Sequence, residues 1–600
     1  MDSMHHNGVM VPPRYESQGL SVNIKGEPYQ LKPEEEERIV AWAKKIGTPY
    51  VEDPVFAENF HDDLSELMGI KALPGDIDYT PIYELVVTER ERKKNLDKEE
   101  KKRLREERKV IREENKEKYG WATIDGERCE LGNYMVEPSS IFMGRGEHPF
   151  RGKWKEGPRH KDIELNLSPD AEAPPGDWKE VIWDPESIWI ARWRDKLSGK
   201  IKYVWPHDSS PIKQKKEIEK FNKAIELKEN LPKVQQFIQE NLTNGELRRR
   251  KTATVCYLID NLKFRVGDEK DEDEEADTVG ASSLRAEHIC INDDKTVTFD
   301  FLGKDSVRLL LTAELDAKVI ENLKEFMEKS DGNTLFDEVN SSVVSEFLDE
   351  VMQGITAKVF RTCYATDAVE SKLEDIVVDP EAPEYVKKHY ATLANLEAAV
   401  TCNHKRTISA SWEQSLERQK ERLKDRRVRA RENIRKYKQR IQDTNLRYEQ
   451  RIANYEEKLK VDKEKLEEYK QDLAERERDG RASKGVQNRV ASKKKVISNG
   501  RKRIRETKEK HRDAIAKLKD RMENRKQKDK ERIEKTELQI EAKELTKDYN
   551  LGTSLKSYVD PRVYLEWGKK VEYDWRNYYS NTLVKKFSWI APEQPEQEPQ

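Results

Sequence analysis

Leu551-Gly552-Thr553-Ser554-Leu555-Lys556-Ser557-Tyr558-Val559-Asp560-Pro561-Arg562, near the carboxyl end of the chain, is the stretch whose reading decides the rest. Its tyrosine lies beyond a long, charge-rich helical segment that follows the main domain. By itself Tyr558 is one of 22 tyrosines. Four upstream residues in four separate motifs give it weight: Arg265 in KFRVGDEK, Lys304 in FDFLGKDSVR, Arg361 in TAKVFRT and His404 in CNHKR. Two arginines, a lysine, a histidine and a late tyrosine are the set that metal-free transfer of a phosphoryl group from a phosphodiester to protein requires.

The chemistry explains the set. Attack on a phosphodiester builds negative charge on the nonbridging oxygens, and catalysis is mostly positioning plus stabilisation of that charge. A guanidinium is always charged and presents a rigid fork of donors that matches phosphate. A phenol can be the nucleophile, with an unperturbed pKa of about 10. The departing oxygen needs a proton, which a lysine can supply, and a histidine adds a further donor to the phosphate.

Composition sets bounds. The 600 residues suffice for several domains, yet 38% are charged, 35% hydrophobic, and mean hydropathy is −1.00, so a long solvated segment is expected. The net charge of −3 lacks the overall basic signature of a nucleic-acid binder, so basic residues must be segregated by region. Five scattered cysteines without a CxxC pair fit a reduced intracellular setting without structural zinc. No run of eighteen apolar residues and no signal-peptide pattern occurs, so no membrane association is expected. Walker motifs and clusters with metal-ligand spacing are absent from the sequence, and no cofactor is expected.

Along the chain, residues 1 to about 205 alternate strand-like runs such as LSVNIKG with helical ones such as KPEEEERIVAWAKKIG. The stretch from Thr88 to Lys118 reads as a solvated helix pair with i,i+4 ion pairs, the alternative being paired helices that turn a basic face toward a polyanion. Trp178, Trp183, Trp189, Trp193 and Trp205 alternate within strand-like runs and read as core. Residues 206–211, PHDSSP, break the chain before a helical run, IKQKKEIEKFNKAIELKENL, which opens a mainly helical region over 212–405. One hairpin interrupts it: TVTFDF and SVRLLL, joined by Leu302-Gly303-Lys304-Asp305. Residues 268–275, DEKDEDEE, are an acidic loop, read either as a solvated turn or as an electrostatic lip.

From Ser411 to Leu545 a heptad seam recurs through Leu416, Leu423, Ala430, Ile434, Tyr437, Ile441, Tyr448, Ile452, Tyr455, Leu459, Leu466, Tyr469 and Leu473. It breaks at DGRASKG (479–485) and resumes through Val490, Ile497, Ile504, His511, Ile515, Leu518, Met522, Ile533 and Ile540. Two antiparallel helices, each roughly 90 Å long, are expected, with His511 structural. A small domain with Trp567, Trp575 and Trp589 as anchors follows, and EQPEQEPQ ends the chain as a disordered tail.

FDFLGKDSVR, EADTVGASSLRAEHI, TAKVFRT, CNHKR and LGTSLKSYVDPR resemble, in order and wording, the eukaryotic-type IB DNA topoisomerases, and GRGEHPF (144–150) resembles the family's loop in its DNA-capping half. The resemblance implies a multidomain α+β fold. Its parts are a two-lobed DNA clamp with a mixed α/β cap (1–207) and a mainly helical, tyrosine-recombinase-like catalytic domain (208–408), a coiled-coil linker (409–546), a small helical C-terminal domain carrying the nucleophile (547–592) and a tail (593–600). It also implies that Tyr558 attacks, that Arg265, Arg361 and His404 bind the scissile phosphate, and that Lys304 protonates the leaving 5′ oxygen. Arg145, His148, Arg151, Lys153, Asp305, Lys358 and Ser557 are the expected DNA-contacting set. The implied activity is relaxation of positive and negative supercoils through a 3′-phosphotyrosyl intermediate, without ATP or metal, on double-stranded DNA and by a monomer.

Two positions depart from the family pattern. Phe150 stands where a lysine is usual, which leaves Arg151 as the expected partner of the acidic lip. Ser557 replaces the asparagine that usually precedes the nucleophile and helps shape the camptothecin pocket, so low camptothecin sensitivity is expected. The chain begins almost at the core, which suggests an archaeal member working at a cytoplasmic nucleoid, with a nuclear location as the eukaryotic alternative. Two rival readings are a tyrosine recombinase, disfavoured by Lys358 where a histidine is usual and by the long coiled coil, and a noncatalytic coiled-coil DNA protein.

Overall fold

The computed structural model describes residues 1–267, 278–292, 295–330 and 334–591, and of Asp305 the backbone only. The acidic loop and the tail therefore lie outside the described residues. The chain divides into two units. One comprises Met1–Ala382, Tyr390–Thr407 and the chain from Asp548 onward; the other comprises Pro383–His389 and Ile408–Lys547.

The first unit opens with β1 (Met4–His6), β2 (Ser21–Ile24), β3 (Glu27–Gln30), α1 (Pro33–Ala43), α2 (Pro54–Met68), β4 (Ile77–Asp78), α3 (Thr80–Asn95) and α4 (Lys98–Tyr119). Short strands follow: β5 (Trp121–Ile124), β6 (Glu127–Glu130), β7 (Ser140–Ile141), β8 (Trp154–Lys155), β9 (Ile163–Asn166), β10 (Glu180–Ile182), β11 (Ala191–Arg194) and β12 (Ile201–Val204). They form small sheets in the orders β1-β5-β6, β3-β2-β4, β7-β8 and β10-β9-β11-β12. α3 and α4 are the expected charged pair. Asp97 separates them, its carboxylate accepting from Glu100 N at 2.8 Å, and α4 has no buried residue. Pairs such as Lys93–Glu89 at 2.6 Å line the surface.

The tryptophans divide. Trp189 and Trp193 are buried, and Trp178 and Trp183 pack on the core that holds Trp193, but Trp205 is exposed and pairs with Tyr203 at 5.0 Å. β12 is the edge strand, and its period of two turns 201, 203 and 205 outward. The core expectation therefore fails for Trp205.

Next come α5 (Pro211–Asn241), α6 (Leu247–Leu262), β13 (Ile289–Ile291), β14 (Thr296–Gly303), β15 (Val307–Glu314), α7 (Ala317–Lys329), α8 (Ser341–Asp349), α9 (Ala357–Asp375) and α10 (Glu384–Thr401). The hairpin is longer than expected and belongs to a three-stranded sheet, β13-β14-β15. Leu302 and Gly303 lie in β14, with Gly303 opposite Val307, so the link is a three-residue turn, Lys304–Ser306, closed by Ser306 at φ 55°. Three-residue hairpin loops commonly end in this left-handed conformation. β13, only three residues long, has too little periodicity to be seen in sequence.

In the second unit α11 (Trp412–Arg478) pairs with α12 (Lys484–Leu545). The expected seam residues are the inward ones: Leu466, Val490, Ile497, Ile504 and Ile540 are buried, and the others half-buried, as a two-stranded pair permits. His511 stacks on Tyr448 at 5.0 Å and contacts Asn445 Oδ1 at 2.7 Å, a structural role. In the first unit α13 (Leu551–Ser557), α14 (Pro561–Lys570) and α15 (Asn581–Lys586) close the chain. Trp567, Trp575 and Trp589 join Phe221, Ala365, Val369 and Ala394 in one core, as expected. Among the described residues no helix is long and apolar enough to cross a membrane.

Candidate active site

Two helix ends create the first half of the site. The last carbonyls of a helix have no partner within it and carry partial negative charge. α6 ends in Lys263 at φ 58°, and α10 is followed by Asn403 at φ 52°. These left-handed turns bring the two ends together, and Asn403 Nδ2 donates to Leu262 O at 3.1 Å. The Arg361 guanidinium fills the space between them. Nη1 donates to Lys263 O, and Nη2 donates to Cys402 O at 2.8 Å and to His404 Nε2 at 2.9 Å. Among the described residues its buried Nε makes no further hydrogen bond of good geometry. Tyr364, one turn on, hydrogen-bonds Asp260 of α6 and so fixes α9 on α6.

His404 is held on both edges, since its Nδ1 meets Ser554 Oγ at 2.7 Å. Its backbone carbonyl accepts from Asn550 N at 2.7 Å. Burial, reinforced by the charges of Arg361 and then Arg265, pushes its pKa down to about 2, so the imidazole is neutral.

Tyr558 stands immediately after α13. Its N–H donates to Ser554 O at 2.9 Å, and its carbonyl accepts from Thr366 Oγ1 at 3.2 Å. The ring lies 5.0 Å from that of His404 and 5.0 Å from Arg361 Cζ. Relative exposures of 8% for Tyr558, 4% for Arg361 and 3% for His404 make this a largely dry cluster. Burial raises the phenol pKa, but the charges of Arg361 and Arg265, with hydrogen bonds from both, outweigh it and hold the group below its ordinary value. A buried tyrosine displaced in that direction is poised as an oxyanion nucleophile.

Two lysines secure the turn before it. Lys220 Nζ donates to Ser557 O at 3.0 Å and Lys586 Nζ to Lys556 O at 2.8 Å, so the terminal carbonyls of α13 are capped by cations. Neither was found from sequence, where both are lysines among many.

Arg265 follows α6 in a strand-like segment whose carbonyl accepts from Ala281 N at 2.8 Å. Gly267, at φ 90°, and Gly280 approach so closely here that a β-carbon on either would strike the other's backbone. This gives VGASS its physical sense. The same segment reaches the hairpin, since Val279 N donates to Leu302 O at 2.7 Å. Lys304 is exposed at the hairpin tip, and among the described residues no contact ties it to the other four. Four of the five expected catalytic residues are thus gathered, and the fifth is exposed on the hairpin turn.

Of the expected DNA-contacting set, Lys358 is exposed one turn before Arg361 on α9. Arg145 and His148 lie on the GRGEHPF loop. His148 packs edge-on against Phe142 at 4.9 Å, and burial, with the nearby Lys200 charge, lowers its pKa. Lys153 lies over Phe150 at 5.2 Å. Arg151 pairs within its own lobe: its Nε is 2.9 Å from Asp53 Oδ2, and Nη1 donates to Gly146 O at 3.0 Å. Its expected partner, the acidic loop, is outside the described residues, as is the Asp305 side chain.

Comparison with known proteins matches this architecture segment by segment. Residues 1–206 match the family model of the eukaryotic DNA topoisomerase I DNA-binding fragment, 209–441 that of the catalytic core, and 530–597 the C-terminal topoisomerase domain. The chain is 34% identical over 606 residues to DNA topoisomerase 1 beta of Arabidopsis thaliana, covering 99% of this chain and 59% of that protein. It is 33% identical over 602 residues to the alpha form, covering 98% and 58%. To human DNA topoisomerase 1 it is 30% identical over 610 residues, covering 98% of this chain and 70% of the human protein. The chain thus spans about six-tenths of the length of the plant relatives. These relatives are eukaryotic, so the archaeal expectation finds no support in them. The chain belongs to the eukaryotic DNA topoisomerase I family, the type IB topoisomerases.

Proposed function

We propose that this chain relaxes supercoiled DNA by transient cleavage of one strand. The observation that carries the reading is the buried Tyr558 phenol, held below its ordinary pKa by Arg361 and Arg265 beside a neutral His404. The Tyr558 phenol gives its proton to water, its Oη attacks the scissile phosphorus, a 3′-phosphotyrosyl ester forms, and the bond to the 5′ oxygen breaks. That oxygen takes a proton from Lys304. Arg265, Arg361 and the His404 ring stabilise the charge on the nonbridging oxygens. The free 5′ end then attacks in reverse, returning the proton and the phenolate. One ester is exchanged for another, so the bond energy is conserved and torsion in the DNA drives the reaction without ATP.

Lys304, exposed on the hairpin turn, is left to serve the leaving oxygen, which lies on the opposite side of the phosphorus from the nucleophile. Arg145, His148, Arg151, Lys153, Asp305, Lys358 and Ser557 complete the DNA-contacting set. The cap lobe (1–207), core (208–408), linker (409–546) and C-terminal domain (547–592) are the proposed functional divisions, working as a monomer that encloses duplex DNA. Kinship with plant and human topoisomerases supports a nuclear site of action.

The test is relaxation of a supercoiled plasmid in EDTA without ATP, with Tyr558→Phe alongside. The wild type is expected to relax it. The variant, which keeps the ring and loses the attacking oxygen, is expected to bind DNA without relaxation or covalent adduct. An adduct in the variant would show another residue to be the nucleophile, and no relaxation by the wild type would end the reading.

A further inference from the structure

His404 makes one hydrogen bond at each ring nitrogen, and the partners dictate its protonation. A guanidinium has donors and no acceptor. Nε2, 2.9 Å from Arg361 Nη2, therefore accepts, and the ring proton sits on Nδ1, donated to Ser554 Oγ at 2.7 Å. This tautomer presents no N–H at Nε2. Nor can the neutral ring gain one by becoming cationic near neutral pH, since burial and two adjacent guanidiniums oppose that charge. The remaining route to an Nε2–H donor is a change of tautomer.

That change asks something specific of the group facing Nδ1. A carbonyl or carboxylate there would lock the proton on Nδ1. A hydroxyl accepts in one tautomer and, by rotation of its O–H, donates in the other. Ser554 supplies this hydroxyl. It is completely buried, and among the described residues its side chain has no other partner. It also lies four residues before Tyr558, and its carbonyl accepts from Tyr558 N and Val559 N at 2.9 and 3.0 Å.

We propose that Ser554 is a positioning residue whose rotating hydroxyl lets His404 pass from the Nδ1–H tautomer, which holds Arg361 in the free protein, to the Nε2–H tautomer, which donates to the scissile phosphate. This rests on the proposed DNA cleavage. As phosphate arrives, Arg361 Nη2 turns its proton to a phosphate oxygen. Nε2 gains a proton, Nδ1 loses one, and Ser554 Oγ–H then donates to Nδ1. Water that enters with the DNA carries both protons, reaching Nδ1 when the Ser554 hydroxyl turns away from it, and the charge of the ring is zero before and after.

The test uses the full chain labelled with 15N-histidine, the His404 signals being assigned by their loss in His404→Gln. Long-range proton–nitrogen spectra of Tyr558→Phe are expected to show Nδ1–H in the free protein and Nε2–H when it is saturated with a short DNA duplex. An Nε2–H free form, or Nδ1–H in both states, overturns the proposal. In single-turnover cleavage Ser554→Ala is expected to lose about tenfold in rate, equivalent to about 1.4 kcal/mol in the barrier, and Ser554→Thr to recover most of it. The loss should vanish when Ser554→Ala is made in the His404→Gln background. An equal loss there would mean that Ser554 acts through packing alone. If the wild type relaxes plasmid and the tautomer does not change, this inference alone fails; if the wild type does not relax plasmid, the proposed function has failed first.

Discussion

Arg361 is a cation sealed under two helix ends, and its cost of burial is offset by carbonyls whose partial charges have nowhere else to go. Removing it, or Arg265, should slow single-turnover cleavage by at least about 2.7 kcal/mol, roughly a hundredfold, by analogy with deleting one oxyanion donor. A near-normal rate in either alanine variant would take that residue out of the catalytic set. His404 leads to a stability prediction. Its folded pKa of about 2 lies below the unfolded value of 6.5, so between these values the unfolded chain binds more protons. Stability therefore rises with pH across that window and is lost as pH falls below about 6.5. His404→Gln lacks this titration, so its urea midpoint should fall less than that of the wild type between about pH 7 and about pH 5. Ser557 offers a third test. Its side chain lacks the paired donor and acceptor of an asparagine amide, so Ser557→Asn should increase camptothecin-stabilised covalent complex in a cleavage assay. Equal trapping by wild type and variant would show that Ser557 does not set sensitivity.

Among the elements, the β14–β15 hairpin and α13 do opposite things. α13 is short and clamped by Lys220, Lys586 and Thr366, so Tyr558 is fixed. The hairpin tip is exposed and carries Lys304 on a three-residue turn. A general acid there predicts chemical rescue: Lys304→Ala should cleave poorly on ordinary DNA and recover on a substrate with a 5′-bridging sulfur, because a thiolate leaves without protonation. Absence of rescue would remove the general-acid role. In the coiled coil, α12 carries the buried Asp529, which accepts from Asn433 of α11 and Arg525 at 3.0 Å each. The heptad pattern did not reveal this polar layer, because periodicity reports apolar positions and is silent where a charge is satisfied across the seam.

At the scale of the whole molecule, the 140 or so residues of the coiled coil interrupt a core that closes without them. Within the first unit, Lys405 bridges Tyr549 and Arg406 N donates to Asp548 O at 2.9 Å, so the departing and returning strands are already hydrogen-bonded. Replacing residues 409–546 with a tight turn should therefore leave Arg265, Arg361, His404 and Tyr558 assembled. Cleavage is expected to survive, with religation or processivity altered. A folded variant unable to cleave would mean that the coiled coil positions the nucleophile.

By itself the sequence determined the family, the candidate residues and the long elements. Arg265, Arg361, His404 and Tyr558 were legible as candidates because a charged or nucleophilic side chain in a distinctive motif carries the chemistry it can do in its own atoms, and α11 and α12 because a seam repeated over more than sixty residues outweighs local noise. Tertiary structure alone decided what holds those groups. The carbonyls of Lys263 and Cys402, the hydroxyls of Ser554 and Thr366, and the ammonium groups of Lys220 and Lys586 are ordinary backbone and common side chains, so nothing marks them until folding brings residues up to 337 positions apart into hydrogen-bond distance. A hydrogen bond acts over about 3 Å, and chain order carries no information about which distant donor will arrive within it.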